Sequence, residues 1–291
     1  MDVGVFVPIG SGNTEPGLLR MLGPAIEERG FESVWLPEHV VLFDEYASSY
    51  PYSPDGRMPG GAEFGMVEPF TALTFLAAVT DRIRLGTGIC LLPQRNPVYT
   101  AKVVADLDNL SGGRVDLGVG IGWLREEFAA LGVPFEARGR RTDDHLEFLR
   151  TLWADDVSSY EGDLVSLPPC RLYPKPVQTP PPIHIGGESD AALARVARYG
   201  QGWFTFDRLP ADVPAQVARL EAALAEAGRS RSEVTLTVSP YLRPITADDV
   251  RAYADAGVDR LIVLALAFNE DMANEQLDRL VTDVLEPAQK A

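Results

Sequence analysis

Lysine is almost missing from this chain: Lys102, Lys175 and Lys290 are the only ones in 291 residues, and all other positive charge is arginine. We read that bias as genomic composition rather than chemistry. With 26 Lys+Arg against 42 Asp+Glu the formal net charge is −16. No basic stretch is available to neutralise phosphates, which argues against a nucleic-acid partner. Cysteine is scarce as well. Cys90 and Cys170 are too few for a disulfide scaffold and are not spaced as metal ligands; both read as buried thiols in a reducing compartment. Histidine occurs three times, without an H-x-x-x-H pair or a cysteine ligand nearby, so no metal site is expected. No run approaches the roughly 18 apolar residues of a membrane span, and Met1–Phe6 has no basic leader character. A cytoplasmic protein with neither membrane nor nucleic-acid partners is the expectation.

What is present is an ordinary globular composition, 46% hydrophobic and 23% charged, with material for a sizeable core. Short β-type runs recur, each followed by a helical pattern. Strands are expected at Val3–Pro8, Ser33–Leu36, Ile83–Ile89, Val115–Val119, Ile183–Ile185, Trp203–Phe206, Val234–Val238 and Arg260–Leu264. Helices are expected at about Thr14–Arg29, with Thr14 as cap and Pro16 in the first turn, and at Pro97–Leu110, with Val103, Leu107 and Leu110 as its buried stripe. Others are expected at Glu188–Tyr199, Ala211–Ala227, Ala247–Ala256 and Ala273–Leu285.

Eight strand–helix units without a composition break read as one (β/α)8 TIM barrel spanning 1–291, ahead of a doubly wound sheet. Two segments interrupt the alternation. Val40–Val67, after strand two, is rich in Tyr, Ser, Pro and Gly; Ser158–Pro182, between units four and five, reads as a hairpin excursion. Loops of such length are usually lids or binding loops, and a barrel's chemistry sits at the C-terminal ends of its strands.

Three glycine-rich stretches could meet a nucleotide. Gly10–Glu15 is explained by a turn and helix start. Gly118–Trp123 is not G-x-G-x-x-G, because its third glycine comes one residue early; it signals close backbone approach, either to the barrel or to a ligand. At Gly186–Ser189 a strand runs into a helix start, where the amides of Gly187, Glu188 and Ser189 form an anion site unless Ser189 is simply a cap. Among the histidines, His145 reads as a surface residue in a polar helical stretch, and His184 either faces the barrel interior or packs. His39 follows Glu38 at the exit of strand two, where an acid–imidazole pair suits proton transfer near neutral pH.

Five motifs in order resemble the luciferase-like monooxygenase superfamily, especially its coenzyme F420-dependent oxidoreductases. They are Trp35-Leu36-Pro37-Glu38-His39; Arg84–Ile89 with Asn96-Pro97; Leu107–Arg114; Gly118–Trp123; and Gly186–Ser189 leading to Gly202-Trp203. The resemblance implies a barrel holding a deazaflavin or flavin across the strand C-termini. It implies a non-proline cis peptide at Gly88–Ile89 pressing on the central ring, the Gly120-Ile121-Gly122 turn beside the cofactor chain, and the Gly186–Ser189 turn on its phosphate. It also implies that His39 donates or accepts the proton accompanying hydride transfer, with Glu38 orienting it or touching the deazaflavin.

Departures narrow the activity. Bacterial luciferases carry a phosphate-binding arginine where this chain has Ile121. Deazaflavin-dependent glucose-6-phosphate dehydrogenases place a catalytic glutamate where Trp123 stands and a tryptophan near Phe43. Neither luciferase activity nor sugar-phosphate oxidation is supported. The pocket reads as aromatic and apolar, with Phe43, Tyr46, Tyr50, Trp123 and Phe206 as candidate lining for a small-molecule substrate. The expected activity is F420-dependent hydride transfer; an FMN-dependent monooxygenase of a two-component system and a non-catalytic flavin-binding barrel are the alternatives. Family members are often dimers, so the resemblance also implies a homodimer.

Overall fold

The computed structural model describes residues 1–291. Eight parallel strands close into a barrel with helices on its outside, as the alternation predicts. In chain order they are β1 (Asp2–Phe6), β2 (Ser33–Leu36), β3 (Arg84–Thr87) continued by the short β4 (Cys90–Leu91), β5 (Val115–Gly120), β8 (Ile183–Gly186), β9 (Gly202–Phe206), β10 (Thr235–Tyr241) and β11 (Arg260–Leu264). Pairing of β3 with β5 at Leu85–Val115 and Gly86–Asp116 closes the ring. The strands β6 (Ser158–Glu161) and β7 (Ser166–Cys170) form the separate antiparallel hairpin expected between units four and five.

Alternation along each strand divides the core in two. Val3, Val5, Val34, Leu36, Trp203, Leu261 and Val263 face outward and join the large apolar layer under the helices. Phe6, Trp35, Phe204 and Ile262 face inward and fill the barrel as a separate cluster. Lower down the interior is polar. Asp116 accepts from Arg84 (Nε–Oδ2 2.9 Å), with Arg260 and His184 each 3.5 Å away. Burial opposes its ionisation, but Arg84, His184 and Arg260 together hold the carboxyl well below the usual range. His184 is thus an interior residue, edge-on to Trp35 at 5.4 Å.

The helices depart from expectation where polar residues are buried. In α3 (Pro97–Ser111) Leu107 is buried, but Val103 is only partly so and Leu110 is 72% exposed. The face on the barrel is instead Thr100, Ala101, Val104, Ala105 and Asp108, small or polar residues that let the helix lie close. His145 is buried rather than exposed, in α5 (Arg138–Ala154), where its Nδ1 meets the Leu92 carbonyl at 3.2 Å. Desolvation lowers its pKa, the Leu92 bond opposing. α1 (Pro16–Glu28) has Glu15, not Thr14, at its N-cap and no side-chain cap bond, while Asn13 closes the preceding turn by accepting from Gly10 N at 2.7 Å. Cys90 is buried and Cys170 half-buried, both free. The last helical segment starts earlier than expected, as α9 (Glu270–Leu280), and passes through a π turn at Val281–Leu285. No helix is long and apolar enough to cross a membrane.

Candidate active site

A cavity of about 350 Å³ opens at the C-terminal end of the barrel. Its floor is the turn between β3 and β4, where the Gly88–Ile89 peptide is cis. Ile89 projects from that turn over β5 and β8. A Cβ on Gly120 would collide with Ile89 Cδ1, and one on Gly118 would strike the Thr87 carbonyl. Glycine at 118 is therefore required by packing against backbone, whereas a side chain at 120 would have to push Ile89 aside.

His39 stands at the wall, 9% exposed. Its Nδ1 lies 3.0 Å from Glu127 Oε2, and its Nε2 accepts from Trp123 Nε1–H at 3.3 Å. That arrangement fits neutral imidazole protonated on Nδ1, with its single Nε2 lone pair accepting from Trp123 at the cavity wall. Glu127, fully buried in the first turn of α4 (Arg125–Ala130), also accepts from Gln94 Nε2 (3.0 Å) and Val40 N (2.6 Å). Burial pushes its carboxyl up, but the bonds from His39, Gln94 and Val40 prevail and hold it below its ordinary value. The site thus holds a carboxylate–imidazole dyad whose far nitrogen is held by Trp123 at the wall of an apolar cavity, an arrangement able to move one proton once that bond opens.

Two turns lie side by side next to this dyad, because β5 and β8 pair through Val119–Ile185. One is Gly120-Ile121-Gly122; the other is Gly186–Ser189, entering α6 (Asp190–Tyr199) with Gly187 at φ +100°. The amides of Gly187, Glu188 and Ser189 make no hydrogen bond within the protein. The Ser189 hydroxyl accepts from Ala192 N at 3.1 Å, so that side chain acts as a cap.

The luciferase-like monooxygenase family model matches residues 1–289. The chain belongs to that family. Similar proteins include the uncharacterised Rv0940c of Mycobacterium tuberculosis, 35% identical over 242 residues, covering 83% of each chain. The pyrimidine monooxygenase RutA of Stutzerimonas stutzeri is 30% identical over 251 residues, covering 79% of this chain and 65% of that protein. An F420-dependent secondary alcohol dehydrogenase, solved with an F420–acetone adduct, shares the fold with a TM-score of 0.77 at 17% identity, covering 99% of this chain and 98% of that one.

Within this luciferase-like barrel the residues singled out from sequence fall into three groups. Gly88, Ile89, Gly120, Ile121, Gly122, Gly186 and Gly187 face the cavity, as do Tyr50, Trp123 and Phe206. Glu188 and Ser189 lie just beyond it; the Glu188 carboxylate turns away to accept from Phe206 N at 3.2 Å. Phe43 and Tyr46 line an adjoining recess with Arg57, on the far side of Trp123.

Glu38 is the chief correction. Glu38 lines the cavity beside His39, as a cofactor contact requires, but it does not orient the imidazole. Its Oε2 accepts from Leu91 N at 2.6 Å and its Oε1 pairs with Arg95, which in turn reaches Glu68. Successive residues at a strand exit point to opposite sides, so Glu38 fastens β4 while His39 turns to α4. Glu127 was not singled out from sequence, although an acidic pair, Glu126-Glu127, follows the strand-four glycines at the end where barrel chemistry resides. Arg138 was also missed: its Nε donates to the Gly122 carbonyl at 3.2 Å, placing a guanidinium one residue from Ile121.

Proposed function

We propose that this chain is an F420-dependent oxidoreductase that moves a hydride between the C5 carbon of the deazaflavin and an organic substrate. The observation that carries this reading is His39, clamped between Glu127 and Trp123 on the wall of an apolar cavity whose floor is the Ile89 turn. Coenzyme F420 supplies the two-electron chemistry. Once the substrate hydroxyl displaces Trp123 Nε1–H from the single Nε2 lone pair, His39 would take its proton as the hydride leaves the carbon, and return it in the reverse direction. Glu127 keeps the proton of the resting imidazole on Nδ1 and stabilises the imidazolium that forms. Ile89, on the cavity floor, would lie behind the cofactor's flat ring. The unpartnered amides from Gly187 to Ser189, at the start of a ten-residue helix, suit the cofactor's phosphate.

An FMN-dependent monooxygenase is the second reading. It is favoured by the likeness to RutA and by Arg138, whose charge beside Gly122 could serve a flavin phosphate in place of an arginine at 121. Titrating the purified protein with F420 and with FMN, followed by cofactor fluorescence, separates the two. F420 is expected to bind at least tenfold more tightly, a difference of about 1.4 kcal/mol. Equal or reversed affinity would remove the deazaflavin reading.

A further inference from the structure

The outer half of the cavity is a continuous succession of aromatic rings. His39 meets Trp123 at 5.7 Å between centroids, Trp123 meets Tyr50 at 5.2 Å, Tyr50 meets Tyr52 at 5.6 Å, Tyr52 meets Phe206 at 4.7 Å, and Phe206 meets Tyr241 at 4.4 Å. No Lys, Arg or Asp faces the cavity. Its one carboxylate, Glu38, is engaged by Arg95 and the Leu91 amide. A phosphate or carboxylate on the substrate would enter this half without a counter-charge, and burying an unpaired charge is strongly unfavourable. Flat apolar surface, by contrast, meets ring faces and edges throughout.

Tyr241 is the anomaly in this rim. Its φ is +57°, in the left-handed region that bulky residues rarely occupy. Such conformations persist when surrounding contacts over-determine them, and they cluster at ligand sites. Here the register of β10 against β11 shifts between Val238 and Tyr241, and pairing resumes at Tyr241–Val263. Tyr241 N donates to Ser239 Oγ at 3.3 Å. Two residues on, Arg243 ties the exit of β10 to that of β9 through Asp207 (Nε–Oδ1 2.6 Å). The turn delivers the Tyr241 phenol to the cavity mouth, where it accepts from the Tyr50 hydroxyl at 3.3 Å. Its own O–H has no partner in the protein and is left to donate. Burial raises its pKa, so the phenol keeps that hydrogen at neutral pH.

Resting on the oxidoreductase reading above, we propose that the substrate is an uncharged, flat, predominantly apolar molecule bearing a hydrogen-bond-accepting oxygen, and that Tyr241 selects it by donating its phenolic hydrogen to that oxygen. Tyr50 aligns the donor by occupying the Tyr241 lone pair. Trp123, Tyr52 and Phe206 contact the flat faces and edges.

The test uses the 291-residue chain without cofactor and three probes of matched ring size: acetophenone, benzoate and ethylbenzene, titrated by ligand-observed NMR. Acetophenone is expected to bind at least tenfold more tightly than benzoate to the unaltered protein, a comparison that needs no variant. Tyr241→Phe, which leaves the backbone and ring in place, is expected to weaken acetophenone three- to tenfold while ethylbenzene stays within twofold. A preference over benzoate below tenfold, absence of acetophenone binding, or a Tyr241→Phe variant that binds acetophenone undiminished would overturn the proposal. With no cofactor present, these outcomes are independent of the F420 titration, so either reading can fail while the other stands.

Discussion

Glu127 Oε2 lies 3.0 Å from His39 Nδ1, across 88 residues of sequence. The bond joins the exit of one barrel strand to the helix that follows another, so the imidazole is oriented by tertiary structure and not by its neighbour in the chain. Its removal should therefore leave the secondary structure intact and disturb the proton inventory.

His39→Ala is expected to fold, because the side chain sits at a strand exit and not in either core cluster. The rate of single-turnover hydride transfer at saturating cofactor should fall by about 10²–10⁴, or roughly 3–5 kcal/mol at the barrier. Cofactor affinity, read by fluorescence titration, should change far less, since the Gly120 and Gly187 turns remain. Undiminished turnover would retire the proton-transfer role.

Glu127→Gln preserves shape but replaces an acceptor carboxylate with an amide. It is expected to reduce turnover by about 10²–10⁴ and to alter the NMR signature of the His39 ring, whose Nδ1 proton loses its charged partner. A variant with normal turnover and an unchanged histidine signal would show that the dyad is not required.

The same carboxylate gives a pH prediction. Its folded pKa is depressed by His39, Gln94 and the Val40 amide against the opposing effect of burial. A depressed acid contributes stability that is fully present above its unfolded value of about 4.3 and is lost as pH falls through the folded value. Denaturant unfolding of the unaltered protein and Glu127→Gln should differ by about 1–3 kcal/mol at pH 8, above the ordinary imidazole range. The difference should shrink below about pH 4. A gap that widened on acidification would contradict the assignment.

Gly120→Ala tests the floor. The new methyl must displace Ile89, and overpacking of this kind costs about 1–3 kcal/mol. Pairing it with Ile89→Ala should recover part of that loss in a double-mutant cycle, as expected for residues in contact. Strictly additive losses would place the strain elsewhere.

What could be read from the sequence followed physical regularities. Ser33–Leu36 and Arg260–Leu264 are strands with the expected bounds because each is a short apolar or β-branched run closed by turn residues. α3 was found but its buried face was misjudged. Asp108, completely buried, accepts from Gln178 N (2.8 Å) and Gln178 Nε2 (2.7 Å), and a hydropathy pattern cannot foresee a carboxylate satisfied by a residue 70 positions away. The strand-end placement of His39 was legible from local pattern alone. Its partner was not, since nothing local distinguishes Glu127, held by His39 and Gln94, from its neighbour Glu126, which accepts from Ala47 N at 2.6 Å and Ser48 Oγ at 2.7 Å. Phe43 and Tyr46 share the composition of the cavity rim, yet the Tyr46 hydroxyl accepts from Met58 N at 2.8 Å and the loop folds them outside it.

That loop has a consequence for how the protein could be altered. Tyr50, Tyr52, Met58, Phe64 and Met66 all reach the cavity from the single excursion after β2, whereas Ile89, Gly120 and Gly187 come from strand exits. The excursion is moored to the barrel near its start, where Glu127 accepts from Val40 N, in its middle, where Glu126 accepts from Ala47 N, and at its end, where Val67 N donates to the Ile9 carbonyl at 2.9 Å. Segments exchanged between the Ala47 and Val67 moorings would redesign the loop's share of the substrate half as a cassette, leaving Tyr241, the proton dyad and the glycine floor in place.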